Sequence, residues 1–324
     1  MKPVDVSVVI CTYNHEKYIS NAIESVLCQK TDGNFEIIVG DDASIDGTGK
    51  ILRTYEDKFP VTVIIREKNL GGTRNAYDLI KRAKGRYLVT LDGDDCFDTV
   101  DRLQRQMNFL DAHPEYSAVC GKCRLIDEDG CPFPEESMPE RARFWKFGKR
   151  VFRWEDFEAW NMPGHVSAMM SRNCFLQNDA KILYEAHDTV GDRTMVLFSL
   201  MNGEIFCTDD MACCYRIRSG GENFMAKYAT KNLRGKDFRM MKYLERYANS
   251  KGHRLDLSEI KKQRLVGAVC VWMKESSKKN FHIICEILEL ESCSAEYMTL
   301  VVKTLILKSY YWNTLHEDYP IDVK

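Results

Sequence analysis

The stretch LVTLDGDDCFD, residues 88–98, runs apolar residues directly into four carboxylates, Asp92, Asp94, Asp95 and Asp98. Like charges this close repel, and each raises the pKa of its neighbours. A cation relieves that repulsion. A hard divalent ion held by one or two carboxylates and completed by phosphate oxygens and water suits Asp92 and Asp94. Asp95 and Asp98 read as residues that orient neighbours or cap the following helix. Polar clusters follow two other apolar runs: Thr12-Tyr13-Asn14 after Val6–Cys11, and Asp41-Asp42 after Phe35–Val39.

The elements that must carry these clusters alternate in type. Val6–Cys11, Phe35–Val39, Val61–Ile65 and Gly85–Leu91 read as strands. Ile19, Ala22, Ile23 and Val26, then Ala76, Leu79, Ile80 and Ala83, recur at helical spacing between them. Such alternation predicts an α/β fold with a mostly parallel central sheet and helices on both faces. Ligands bind such sheets at the carboxyl ends of the strands, so three polar strand ends converge on one crevice. Ser117–Ile126 reads as a further strand. Residues 127–165, rich in Pro, Trp, Phe and charge, read as a long excursion over the crevice. A helix near 194–201 and two short strands, Ile205–Thr208 and Ala212–Ile217, follow. The expected organisation is a catalytic domain over 1–221 and a C-terminal helical region over 222–324.

Composition narrows the class. The 324 residues carry a net charge of −2, which gives no electrostatic case for nucleic acid. No run approaches the roughly 18 apolar residues of a membrane span, and the short N-terminal run reads as a first strand rather than a signal peptide. Thirteen cysteines scatter through apparent core segments, as reduced thiols in a cytoplasmic protein do. Cys120-Gly-Lys-Cys123, with Cys131 nearby, lacks the second pair a zinc finger needs and reads as strand and loop. The basic stretch 227–264 is open to two readings: a solvated or homodimer face, or peripheral docking on anionic lipid at the inner membrane surface.

Two familiar phosphate loops are excluded. GxGxxG is absent, and Gly49-Lys50 is followed by Ile51 with no glycine at the Walker spacing. Gly71-Gly72 instead allows close backbone approach and precedes a helix whose N-terminus favours anions.

Six segments in order, VSVVICTYNHEKYISNAIESVLCQ, FEIIVGDDASIDGT, NLGGTRNA, LVTLDGDD, VGDRTMVLFSLMNGEIFC and YRIRSGG, resemble family 2 glycosyltransferases of the nucleotide-sugar-binding GT-A fold. The resemblance covers roughly residues 4–222. It implies an inverting transfer of one sugar from a nucleotide-diphosphate donor, UDP-based above all, to a saccharide or lipid-linked acceptor. Mn²⁺ or Mg²⁺ would assist, and cell-surface polysaccharide assembly is the family-level setting. Thr12, Tyr13 and Asn14 would then meet the nucleotide, and Asp41 would accept from the base with Asp42 beside it. Asn69, Gly72 and Arg74 would lie along the phosphates, Arg74 being equally readable as a solvated helix residue. Asp92 and Gly93 would touch ribose or metal, and Asp94 would ligate the metal. Asp192 matches the position of the general base, with Asp188 and Glu185 as nearest rivals.

The match departs at Tyr215-Arg216-Ile217-Arg218, where many members close with Tyr-Arg-x-His. Arginine cannot ligate a cation, but Arg218 can pair with the diphosphate. Trp145, Trp160 and His165 are acceptor-side candidates, because aromatic faces suit sugar rings. A satellite core and a satisfied core histidine are the competing readings. Ser44 and Asp46 read as turn and cap residues. Two other functions stand beside the transferase: a non-catalytic nucleotide-sugar binder, against which Asp192 argues, and a phosphatase with an Asp-x-Asp nucleophile, which expects the motif at the first strand rather than the fourth.

Overall fold

Strand β1 (Val6–Thr12) is buried on both faces, so its sequence shows no polar alternation. It pairs in parallel with β2 (Phe35–Asp41) and with β4 (Tyr87–Asp92), and β2 pairs in parallel with β3 (Val61–Ile65). Helix α1 (Ile19–Leu27) lays Ile19, Ala22, Ile23 and Val26 on this sheet, the i, i+3, i+4, i+7 stripe of a packed helix. Helices α2 (Thr48–Arg53) and α3 (Gly72–Ile80) complete the crossovers. The computed structural model describes residues 3–134, 136, 150–176, 181–187, 191–218 and 234–306.

Beyond β4 the sheet becomes mixed. After the short β5 (Cys96–Phe97) and helix α4 (Arg102–Ala112) come β6 (Tyr116–Ile126), β7 (Val151–Phe152), β8 (Met169–Arg172) and β9 (Glu204–Arg216). The strand order is β3-β2-β1-β4-β8-β6-β9-β5, with β7 beside β9. β8 runs antiparallel between β4 and β6, whereas β6 and β9 are parallel. Four residues are too few to show a period, which is why β8 is not evident in the sequence.

The two short strands expected over 205–217 are one strand, β9. The polar Thr208-Asp209-Asp210 that breaks the apolar pattern lies where the β6–β9 register shifts. Its carboxylates pair outward, Asp209 with Lys122 at 2.7 Å and Asp210 with Arg105 at 3.3 Å. The excursion 127–165 contains β7 and the helix α5 (Trp154–Glu158). Trp145 lies outside the described residues. Helices α6 (Ile182–Glu185) and α7 (Asp192–Leu200) precede β9.

Contacts divide the chain into two units: Met1–Phe157 with Asn161–Gly220, and Glu158–Trp160 with Gly221–Lys324. The second unit contains α8 (Arg234–Ser250), α9 (Ser258–Lys274), α10 (Lys278–Leu290) and α11 (Ala295–Ile306), packed around Phe238, Leu265, Val269, Ile284 and Tyr297. Several cations of its basic stretch are paired internally: Lys242 with Glu291, Lys261 with Glu245, Lys262 with Glu296, and Arg239 with Glu286. No helix among the described residues is long and apolar enough to cross a membrane.

Ile10 is fully buried at the centre of the main core. Ile10→Ala removes packed methylenes and leaves a cavity, and is expected to cost about 2–5 kcal/mol. A urea titration should show the midpoint fall at constant slope; an unchanged midpoint would show that the sheet centre is not the stabilising core.

Candidate active site

The acidic turn begins where β4 ends, at Asp92. Gly93 N donates to Cys11 O at 2.8 Å, which ties the turn to the end of β1. A Cβ at Gly93 would stand 2.7 Å from Thr12 Oγ1 and 2.9 Å from His15 Nδ1, so only glycine lets the turn lie this close. Asp95 N donates to Asp92 O at 3.0 Å. The Asp95 carboxylate is buried: Oδ1 accepts from Arg216 N at 3.0 Å, and Oδ2 has no hydrogen bond among the described residues. Burial, then the charges of Asp94 and Asp92, hold Asp95 well above the usual carboxylate range. Asp98 turns aside to accept from Arg124 at 2.7 Å and from the Cys214 thiol at 3.2 Å, the orienting role its sequence suggests.

Cationic and imidazole groups surround the turn. The Arg216 guanidinium is buried and donates to three carbonyls: Asp94 O at 2.8 Å, Asp127 O at 2.8 Å and Glu128 O at 3.1 Å. Arg218 Nε lies 3.3 Å from Asp94 Oδ2, and His15 Nε2 lies 3.6 Å from the same oxygen. His15 Nδ1 is 3.2 Å from Thr12 Oγ1. Burial lowers the His15 pKa against the pull of Asp94, so the ring is neutral near pH 7. Asp92 keeps one side open to solvent. Its depth in the protein, opposed by His165 and aided by Asp94 and Asp192, pushes it up to about 7.

On the β1–β2 side the expected nucleotide residues divide into two groups. Thr12 and Asp41 end their strands side by side, and Tyr13 is 43% exposed, leaving its ring available for stacking. Asp41 Oδ1 accepts from the backbone N–H and the hydroxyl of Ser44, and burial raises its pKa. The others shape loops. Asn14, with a left-handed φ of 57°, donates its N–H to Ser44 Oγ and accepts from Ile45 N. Both Asp42 oxygens are occupied, Oδ1 by Leu70 N at 2.8 Å and Oδ2 by Gly71 N at 2.9 Å. Asn69 Nδ2 donates to Asp42 O at 3.0 Å. This clamp fixes Gly71 at φ 87° and starts α3 at Gly72. Arg74 packs its guanidinium over the Tyr184 ring at 4.2 Å and lies 3.9 Å from Asp78, a surface arrangement.

On the other side, Asp192 opens α7 after Gly191 and is half-buried. It lies within electrostatic range of Asp92, His165 and Tyr215. Glu185 is exposed on α6, and Asp188 lies outside the described residues. His165 is a buried residue rather than a surface for an acceptor. Nδ1 accepts from Ser167 N at 3.2 Å, and its ring sits 4.7 Å from that of Tyr215. Burial works against its charged form, while Cys213 beside it and the charges of Asp92 and Asp192 raise its pKa. Trp160 belongs to the second unit, half-buried with φ 62°. Cys123 faces Cys213 across the β6–β9 pair with sulfurs 3.1 Å apart, not Cys120.

The donor set suits a hard cation. Asp92 is solvent-accessible, and its ligand atom lies within 4.8 Å of those of Asp95 and His165. Asp94 faces His15 and Arg218 instead. One or two carboxylates are what a Mn²⁺ or Mg²⁺ site shared with phosphate requires, so the residues fit such an ion in charge and ligand type. His15 and Arg216 are the two site residues that sequence reasoning missed. Their signals were position: one directly follows Thr12-Tyr13-Asn14, and the other precedes Arg218 by two.

Residues 7–199 match the model of glycosyl transferase family 2. An uncharacterised protein of Mycobacterium tuberculosis is 36% identical over 188 residues, 57% of this chain and 48% of that one. A Bacillus subtilis protein named for teichuronic acid biosynthesis, the glycosyltransferase TuaG, is 38% identical over 132 residues, 40% of this chain and 51% of that one. The chain thus spans about half the length of these curated relatives. Among solved structures, S. aureus TarS in complex with UDP-GlcNAc is similar at a TM-score of 0.53 and 17% identity, over 95% of this chain and 92% of that one.

Because the Asp95 pKa is raised on folding, its protonated form stabilises the protein. That contribution is complete below about pH 4 and is lost as pH rises through the folded-state value. Asp95→Asn keeps an acceptor for Arg216 N–H and removes the buried charge. With EDTA present, urea titrations should find the variant more stable than the parent at pH 8, by a margin that shrinks toward pH 4. A margin independent of pH would rule this out.

Proposed function

The chain belongs to glycosyl transferase family 2, and on that premise we propose that it is an inverting, metal-dependent transferase of one sugar from a UDP-sugar to an acceptor hydroxyl in cell-surface polysaccharide assembly. What supports this reading is the acidic turn at the end of β4, together with a half-buried carboxylate, Asp192, that opens α7 within electrostatic range of Asp92. UDP-GlcNAc in the similar TarS fold and the teichuronic acid name of TuaG support the donor class and the setting.

The roles follow from position. Tyr13 stacks on the base, Thr12 borders it, and Asp41 offers its second oxygen to a base N–H. Asp42 holds the Leu70 and Gly71 N–H groups, so within this segment it is the first turn of α3, from Gly72, that presents backbone N–H groups to anionic oxygens. Asp92 and Asp94 would hold the divalent cation, which when bound would supply positive charge to the departing diphosphate. Asp192 takes the proton from the acceptor hydroxyl as its oxygen bonds to the anomeric carbon. The bond from that carbon to the diphosphate breaks on the opposite face, so configuration inverts. The acceptor is a saccharide or a lipid-linked glycan.

A positioned base contributes about 10²–10⁴-fold to such a step. Asp192→Asn should lose turnover by that factor, read as UDP release in the presence of cell-wall glycan acceptors, while calorimetric UDP-sugar binding persists. Undiminished turnover would show that the base is another group. Asp94→Asn should abolish the manganese-dependent part of the thermal shift that UDP-sugars produce; a shift equal to the parent's would remove Asp94 from the metal site.

A further inference from the structure

Two arginines approach the acidic turn from the end of β9, and they do different work. Arg216 holds main chain: it bonds the carbonyls of Asp94, Asp127 and Glu128, and its own N–H meets Asp95. Arg218 stands two residues past the last residue of β9, outside the strand ladder, with its Nε 3.3 Å from Asp94 Oδ2. Both side chains of that pair are largely withdrawn from solvent, 13% and 18% exposed. The same oxygen is 3.6 Å from His15 Nε2, and His15 is held by Thr12. Tyr18 lies under both guanidinium groups, 4.7 Å from Arg216 and 6.0 Å from Arg218.

A divalent ion must approach a carboxylate oxygen to about 2.0–2.6 Å. A guanidinium and a dication cannot share one oxygen in a partly dehydrated cleft without strong repulsion. We infer that Arg218 is the built-in counter-ion of Asp94, and that a divalent cation entering the site takes Asp94 from Arg218 and releases that guanidinium to the donor's diphosphate. The inference rests on the metal-dependent reading above and adds an order to it. Without nucleotide, the Asp94–Arg218 pair weakens cation binding. With nucleotide, the displaced guanidinium finds two phosphates, for which its planar donors are well matched. Cation and diphosphate therefore strengthen each other's binding, by the same factor in each direction.

Mn²⁺ binding followed by electron paramagnetic resonance, with and without UDP, tests this on the full chain, on Arg218→Met and on Arg218→Lys. Arg218→Met removes the competitor at similar length. It should bind Mn²⁺ alone about threefold to tenfold more tightly than the parent, the equivalent of about 0.7–1.4 kcal/mol. It should bind UDP more weakly and show a smaller gain in Mn²⁺ affinity when UDP is added. Arg218→Lys should stay near the parent. Mn²⁺ affinity that is equal or lower in Arg218→Met overturns the exchange while leaving the metal reading intact. Mn²⁺ binding unaffected by Asp94→Asn, or absent from the parent even with UDP, overturns the metal reading and the exchange with it. The parent gives an independent check should Arg218→Met not fold: UDP and Mn²⁺ that bind without mutual effect exclude the exchange.

Discussion

The constraint on which the site depends is charge compensation at one turn. Asp92, Asp94 and Asp95 crowd the end of β4, and nothing local neutralises them. Compensation arrives from far along the chain: Arg216 bonds Asp94 O across 122 residues, and Arg218 Nε lies 3.3 Å from the Asp94 carboxylate. Leaving a buried charge without its partner costs about 3–5 kcal/mol. The ends of β1, β4 and β9 are therefore tied to one another by these contacts as well as by the strand ladder.

The mixed half of the sheet serves that end. β9 pairs with β6 on one side and with β5 on the other, through Cys96 and Cys214. β5 follows the acidic turn directly, so this pairing brings Arg216 to the carboxylate of Asp95. Inserting β8 antiparallel between β4 and β6 brings the turn that carries His165 under the same carboxylates. His165, Cys123 and Cys213 fill the space beneath; burial holds the Cys213 thiol far above its usual range, so it is a packing group rather than a nucleophile.

Within glycosyl transferase family 2 this division of labour has a simple logic. The parallel half contributes the ends of β1, β2 and β4 and the loop that Asp42 clamps. The mixed half offers Asp192 and the groups that set the acidic turn. Asp42 illustrates how the halves are kept rigid: its carboxylate accepts from two backbone N–H groups and thereby fixes the loop that starts α3. Arg74, packed on Tyr184, does the same for the outer face of that helix.

Much was legible in the sequence because it depends on local pattern. Continuous apolar runs and helical stripes fixed β1 to β4, α1 and α3, since a strand covered on both faces and a helix covered on one leave different periods. The strand-end carboxylates of Asp41 and Asp92 to Asp95 were legible for the same reason, whereas Asp192 was named only through the resemblance of its segment to the family. What the tertiary structure alone decided is which groups meet. The pairing of Arg218 and His15 with Asp94, the capture of Asp42 by Leu70 and Gly71, the burial of His165 and the union of two apparent strands into β9 are long-range contacts. Each depends on strand order and on a register shift set by the whole sheet, which no local periodicity records.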